Sequence, residues 1–171
     1  MDEDDKLTDE EARLAALRRY EIREPSETKP FQRIVDLVQQ VIGVPMAAVS
    51  LIDADRQLFK ASRGLAITET PRAEAFCNHT IAHKEAFAVS DARLDPRFAD
   101  NPMVTGSPHI RSYLGVPLTT PDGYNVGSLC ASAAWVNARL AECIECGSGR
   151  SASPNEGQAP CRSIFVRVAH G

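Results

Sequence analysis

Between His109 and Ala131 the chain reads HIRSYLGVPLTTPDGYNVGSLCA, and no other stretch limits the possible folds as much. Ile110, Leu114, Val116 and Leu118 alternate with Arg111, Tyr113, Gly115 and Pro117, the period-two pattern of a strand with two unlike faces. Pro121-Asp122-Gly123 then supplies a fixed φ, a side chain able to bond its own backbone, and a residue that accepts positive φ. A second run, Asn125 to Ala131, follows at once, so the spacing predicts a hairpin. Gly115 and Gly127 weaken strands intrinsically, which marks places where a helix, a ligand or another backbone approaches the sheet.

With 171 residues the chain has room for one domain with a real core and something left over. A hydrophobic share of 43% and a charged share of 25% are ordinary for a globular protein. The net charge of −4 argues against nucleic acid and anionic membrane as partners, since both want a basic face. No apolar run approaches the roughly 20 residues that span a bilayer, and Asp2 to Asp5 carry the wrong charge for a signal peptide, so a cytoplasmic location is expected. Five cysteines, three of them after position 140, do not form a disulfide framework.

Residues 1–7 read as a disordered acidic tail. Thr8-Asp9-Glu10-Glu11 has the spacing of a capping box, and the helix it opens carries Leu14 and Leu17 and should end near Arg23, ahead of Pro25. Its narrow apolar stripe suits a helix packed on a partner as much as one covering a core. Pro30 fits the first position of a second helix, along which Phe31, Ile34, Val38, Val41 and Ile42 recur, with Gly43 as the stop. Met46 to Ile52 is almost wholly apolar, as in a strand buried on both faces, and Gln57–Ser62 reads as its half-exposed neighbour. Residues 63–73 read as loop, Glu74 to His83 as a short helix, and Ala86–Ser90 as a brief strand. Asp91 to Pro108 (DARLDPRFADNPMVTGSP) is a long loop with one or two helical turns, held in order by Phe98, Met103 and Val104.

After Ala131 the character changes. Residues 132–171 contain no Lys, three of the five Cys and a Ser/Gly/Pro-rich middle, and read as a poorly ordered tail. Cys143-x-x-Cys146, Cys161 and His170 have the composition of a Cys3His zinc site, but without a second close pair, and chance cysteines in an out-of-frame tail are the better explanation.

The segments RLAALRRYEI, VIGVPMAAVSLIDADRQLFKASRGL, TPRAEAFCNHTI, VSDARLDPRFADNPMVTGSPHIRSYLGVPL and GSLC, in that order, resemble a GAF domain, the sensing module of bacterial signalling proteins. The resemblance implies an α+β fold over residues 8–131. That fold is a two-layer arrangement with a five- or six-stranded antiparallel sheet, the last hairpin strand beside Met46–Ile52, helices on one face and a ligand cavity on the other. It also implies a homodimer formed through terminal helices and an output module such as a histidine kinase or diguanylate cyclase. The resemblance stops after GSLC, where the family continues into a long amphipathic helix; a truncated or frameshifted product would look like this.

The implied cavity lies beneath the Asp91–Pro108 loop and would be lined by Phe76, Cys77, His79, Asp91, Arg93, Phe98, Arg111 and Tyr113. Cys77 near a helix start can be a reactive thiol or simply a small packed hydrophobe. His79 and His83, four apart, match a metal pair on one helix face, but further ligands would be needed, and two surface or hydrogen-bonding histidines are the favoured reading. Arg111 can take an anionic group bidentately, or pair with Asp91 and pin the loop to the sheet. The expected function is therefore non-enzymatic: a regulatory module that binds an unidentified small molecule and passes its state through the terminal helices, with no metal and no cofactor specified. Two rivals stand beside it. One is a thiol redox enzyme of the free methionine sulfoxide reductase kind, with Cys77 working with Cys130; the other is a dimerisation module with a vestigial pocket.

Overall fold

The computed structural model describes residues 9–20 and 29–136. In chain order these form α1 (Glu10–Arg19), α2 (Lys29–Ile42), β1 (Met46–Ile52), β2 (Arg56–Arg63), β3 (Glu69–Pro71), α3 (Phe76–Thr80), β4 (Phe87–Val89), α4 (Pro102–Thr105), β5 (Ser112–Thr119) and β6 (Asn125–Ala133). One antiparallel sheet runs in the order β3-β2-β1-β6-β5-β4. Every residue of β1 and β6 is buried, because these two strands occupy the middle and are covered on both faces. The hairpin strand β6 lies against β1, pairing Ala48 with Cys130 and Ser50 with Ser128, as the family resemblance implies.

Alternation along β1 divides the interior. Ala47 and Val49 meet α2 through Val35, Val38 and Ile42, together with Leu114, Leu129 and Ala131 of the hairpin. Met46, Ala48 and Ile52 point to the opposite face, where α3 and the Asp91–Pro108 loop close over them. Each fully buried Val, Leu or Phe contributes about 1.5–3 kcal/mol, so these two clusters carry most of the stability. On α2 the buried line is Val35, Val38 and Ile42, while Val41, expected to point inward, is 37% exposed. At 3.6 residues per turn, 35, 38 and 42 stay on one line and 41 drifts off it. Gly43 ends the helix at φ 73° and donates its N–H to the Gln39 carbonyl at 2.9 Å.

Three local readings are corrected. Residues 63–73 are not all loop, for Glu69–Pro71 pairs with β2 as an edge strand, where a proline is readily tolerated. The helix expected over 74–83 is confined to Phe76–Thr80 after a single 3-10 turn, Arg72–Glu74. Ser132 and Ala133, assigned to the tail from sequence, complete β6 instead, and the Arg111 N–H donates to the Ala133 carbonyl at 2.8 Å. The acidic stretch 1–7, the expected helix end near Arg23 and the Cys143, Cys146, Cys161 and His170 group lie outside the described residues.

Helix α1 folds back onto its own domain. Asp9 is its cap, accepting from the Ala12 N–H at 2.9 Å, so the cap is one residue later than the expected Thr8. Ala16 and Leu17 bury against Leu51, Tyr124 and Val126, and Arg19 pairs with Asp122 in the hairpin turn. Arg13 is buried to 4% and donates to the Ile52 carbonyl at 2.7 Å and to both oxygens of Glu10 at 2.7 and 2.8 Å. Hydrogen bonds from Arg13, and then from Arg72, hold the Glu10 carboxyl at about 2, down from 4.5, against the opposing effect of burial. A carboxyl depressed in this way stabilises the fold fully above its unfolded value and loses that contribution as pH falls from about 4.5 towards 2. Glu10→Gln should cost about 1 kcal/mol at neutral pH, since water screens a half-exposed carboxylate. Its urea midpoint should also fall less steeply than the parent's between pH 5 and 2.5. Equal slopes for the two proteins would mean that Glu10 does not anchor α1.

Candidate functional site

The loop-side face of the sheet carries a row of small polar groups in an otherwise apolar layer. Ser50 of β1, Ser128 and Cys130 of β6, and Tyr113 of β5 share this face, and α3 lays Cys77 and Thr80 across it. Helix α3 is held from both ends. Asn125 donates to the Ile81 and His83 carbonyls at 3.0 and 2.9 Å, and Arg72 donates to Asn78 Oδ1 at 2.8 Å. Gly115 makes room for this arrangement. A Cβ there would lie 2.3 Å from the Tyr113 hydroxyl and 2.5 Å from Thr80 Oγ1. The glycine read from the sequence as a point of close approach is thus the floor beneath the Tyr113 hydroxyl.

Tyr113 OH is 2.7 Å from Thr80 Oγ1 and donates to Cys77 Sγ at 3.3 Å. Burial pushes the Cys77 thiol up, but hydrogen bonds from Cys130, Ser128, Ser50 and Tyr113 outweigh it and bring the group down to about 6. The Cys130 thiol is driven the other way, well above its usual value, by its bond to Cys77 and by burial. Tyr113 is likewise raised, first by burial and then by the charge on Cys77, so it remains a donor. Ser50 Oγ and Ser128 Oγ are fully buried and have no oxygen or nitrogen partner. Almost all buried polar groups in proteins are satisfied, and each one that is not costs on the order of 1–3 kcal/mol.

Above this row lies an aromatic layer. Phe76 and Phe98 stack at 4.2 Å with planes 5° apart, Tyr113 lies 5.1 Å from Phe76, and His79 meets the edge of Phe98 at 4.7 Å. The loop that contributes Phe98 is ordered by a repeated motif, Asp91-Ala92-Arg93 and Asp95-Pro96-Arg97. In each unit the aspartate accepts from its own arginine's backbone N–H at 3.0 Å and takes the guanidinium in a fork, ending at 2.6 Å. The Arg97 guanidinium lies over Phe87 at 5.0 Å and Phe98 at 5.5 Å. Burial and the Arg97 charge lower His79, so it is neutral at pH 7.

Of the eight residues singled out from sequence, Phe76, Cys77, Phe98 and Tyr113 are brought together in one buried cluster, with His79 at its rim. Asp91 and Arg93 pair with each other on the exposed side of the loop. The expected Asp91–Arg111 pair is corrected: Arg111 donates to the Val104 and Ile110 carbonyls at 2.8 and 3.2 Å and holds α4. The loop is tied to the sheet by a backbone bond instead, Ala92 N–H to the Arg111 carbonyl at 2.7 Å. His83 stacks on Phe87 at 5.0 Å. Sequence reasoning missed Ser50 and Ser128. The available signal was the presence of hydroxyls inside two largely apolar strands, one in MAAVSLI and two in NVGSLCASA.

Comparison with known proteins settles the family. The profile described as "GAF domain" matches residues 28–141. The chain belongs to the GAF domain family. A cyclic di-GMP phosphodiesterase of Pseudomonas aeruginosa is 44% identical over 122 residues, which are 71% of this chain and 21% of the relative. The chain thus spans about a fifth of that signalling protein. Among solved structures, the GAF domain of an Acinetobacter phosphoenolpyruvate-protein phosphotransferase superposes with TM-score 0.54 at 19% identity, covering 92% of this chain and 88% of the other. A free methionine-R-sulfoxide reductase from Neisseria meningitidis, solved with its substrate, also superposes at 0.54 with 20% identity, covering 81% and 79%. At those identities the two structures share the fold with this GAF domain. No helix among the described residues is long and apolar enough to cross a membrane.

Proposed function

We propose that this GAF domain is a regulatory sensor that binds a small polar molecule on the loop-side face of its sheet and passes the change to a signalling partner. The observation that carries this reading is the pair of buried hydroxyls, Ser50 and Ser128, which have no oxygen or nitrogen partner and face only the weakly accepting Cys77 sulfur beneath α3. A guest offering hydrogen-bond acceptors there recovers what the two hydroxyls lose on burial. The Phe76–Phe98 stack at 4.2 Å sets the size, because a flat chromophore such as haem or a bilin has to part those rings while a compact polar molecule does not.

The same contacts offer a route outward. Arg72 bonds Asn78 in α3 at 2.8 Å and Glu10 in α1 at 2.5 Å, so a guest that shifts α3 alters the seating of α1. Through α1 the signal reaches a second copy of the chain and an output module of the kinase, cyclase or phosphodiesterase kind. The related phosphodiesterase supports that role in signalling. Calorimetric titration with cAMP, cGMP, cyclic di-GMP, haem, biliverdin and FMN tests the reading. One of the nucleotides should bind, haem and biliverdin should not, and Ser128→Ala should weaken the binding roughly tenfold, the effect of one buried hydrogen bond of about 1.4 kcal/mol. A folded sample that binds none of them would sink the sensing role.

A second reading, a thiol redox enzyme acting on free methionine sulfoxide, is favoured by one observation: Cys77 and Cys130 lie in the same buried cluster. It requires that turnover disappear in Cys77→Ser.

A further inference from the structure

We propose that Cys77 and Cys130 form a modification site for hydroperoxides, in which Cys77 takes the oxidising oxygen and Cys130 closes a disulfide onto it. The site shares side chains with the proposed sensing face but needs no bound ligand.

The geometry comes first. The Tyr113 hydroxyl, 3.3 Å from Cys77 Sγ, lies directly over Gly115, and Gly115 faces Cys130 across the β5–β6 ladder. Cys77 is therefore suspended from α3 above the same spot of the sheet from which Cys130 projects, and the two thiols are buried in one cluster. Two thiols in that relation divide the chemistry between them. The one that accepts hydrogen bonds holds the negative charge and is the nucleophile; the one that donates keeps its proton until it is needed. Ser50, Ser128 and Tyr113 add further donors around Cys77, and its acidity, about 6, follows from them. Arginine and lysine are absent from the buried residues around the pair, so hydroxyl and thiol dipoles do this work.

In the first step the Cys77 sulfur attacks the terminal oxygen of ROOH. The O–O bond breaks, ROH leaves with a proton, and Cys77 becomes a sulfenic acid. In the second, the Cys130 sulfur attacks Cys77 sulfur, the S–O bond breaks, and the hydroxyl departs as water with the Cys130 proton. Two thiols lose two electrons, and the peroxide is reduced to an alcohol and water. Both sulfurs are buried, so access depends on α3 lifting. That helix has only five residues and no side-chain cap at Ala75, so lifting it requires only the bonds from Arg72, Asn125 and Tyr113 to open. Once formed, the disulfide fastens α3 to the central strand β6 and fixes the Arg72–Glu10 contact through which α1 is seated.

The test uses the full chain under non-reducing digestion. Cleavage after Lys and Arg releases Cys77 in the peptide 73–84 and Cys130 in 112–139, each holding a single cysteine, so their cross-link has a unique mass. Treatment with tert-butyl hydroperoxide should raise that cross-link at least tenfold, and a dithiol should reverse it. In Cys130→Ser a sulfenic-acid probe should label 73–84, whereas in Cys77→Ser it should leave 112–139 unlabelled. The wild-type cross-link is read without any substitution, so a variant that folds poorly does not weaken the result. The proposal is overturned if the pair stays reduced while Cys143, Cys146 or Cys161 oxidises. It is also overturned if Cys77 passes to sulfinic acid without engaging Cys130, or if free methionine sulfoxide, and not the hydroperoxide, drives the cross-link. Ligand titration on the reduced protein is a separate readout, so loss of one proposal leaves the other standing.

Discussion

Gly127→Ala should unfold most of the molecule's margin of stability, lowering the melting temperature by roughly 10 °C or more. Gly127 lies in β6 opposite Leu51 of β1, in the middle of the sheet. A Cβ built there would stand 2.0 Å from the Ser50 carbonyl oxygen and 3.0 Å from Leu51 Cα. Both are backbone atoms of the central strand, so no rotamer change relieves the clash and β1 has to move away from β6. Overpacking a core with flexible neighbours costs about 1–3 kcal/mol, and a rigid backbone neighbour places the substitution at or above the top of that range. Differential scanning calorimetry reads the outcome directly. A melting temperature within a degree or two of the parent would mean that β6 does not pair with β1 in this register.

That pairing came from the family resemblance, but the central place of β1 was legible in the sequence itself, and the reason is physical. A strand covered on both faces has to be apolar throughout, and MAAVSLI has no other use in a chain of this composition. The hairpin was legible because its turn chemistry and its period agree, and Gly115 and Gly127 because strands avoid glycine unless something lies close by. Edge strand β3 was not, since Thr70 and Pro71 look like turn residues and the edge position that excuses them is a tertiary fact. The partner of Arg111 was not legible either. Asp91 had two arginines to choose from, and a partner two residues away costs far less chain entropy to reach than one twenty residues away. The repeat of the same fork at Asp95 and Arg97 shows the local choice winning twice.

Within the site, the division follows side-chain size. Large aromatic residues announce themselves, because burying Phe76, Phe98 and Tyr113 is worth so much that a folded chain has few other places for them. Serine does not, because it is small enough to be tolerated anywhere; only its neighbours show that Ser50 and Ser128 are hydroxyls with no oxygen or nitrogen partner. The row of polar groups on the sheet is thus a property of register, of β6 offering Ser128 and Cys130 on the face where β1 offers Ser50. A one-residue slip would have sent all three to the other side.

Phe98→Ala is expected to have the second large effect, and it separates the roof of the site from the sheet beneath it. Phe98 is 1% exposed and stacks on Phe76, with His79 at its edge and the Arg97 guanidinium above. Truncation removes the stack and leaves a cavity the loop cannot refill, because the Asp91–Arg93 and Asp95–Arg97 forks hold its backbone in place on either side. Such substitutions cost about 3–5 kcal/mol. The loss should be local before it is global. Cys77 lies in the same cluster, beneath Phe76, so its reaction with a small thiol reagent in native buffer should speed up more than tenfold, ahead of any change in the far-side core around Val35 and Val38. Leu94→Ala, in the same loop but 82% exposed, should leave both stability and thiol reactivity within error of the parent. If the two substitutions behaved alike, the loop would not be the roof over Cys77, and the polar row on the sheet would have to be reached from elsewhere.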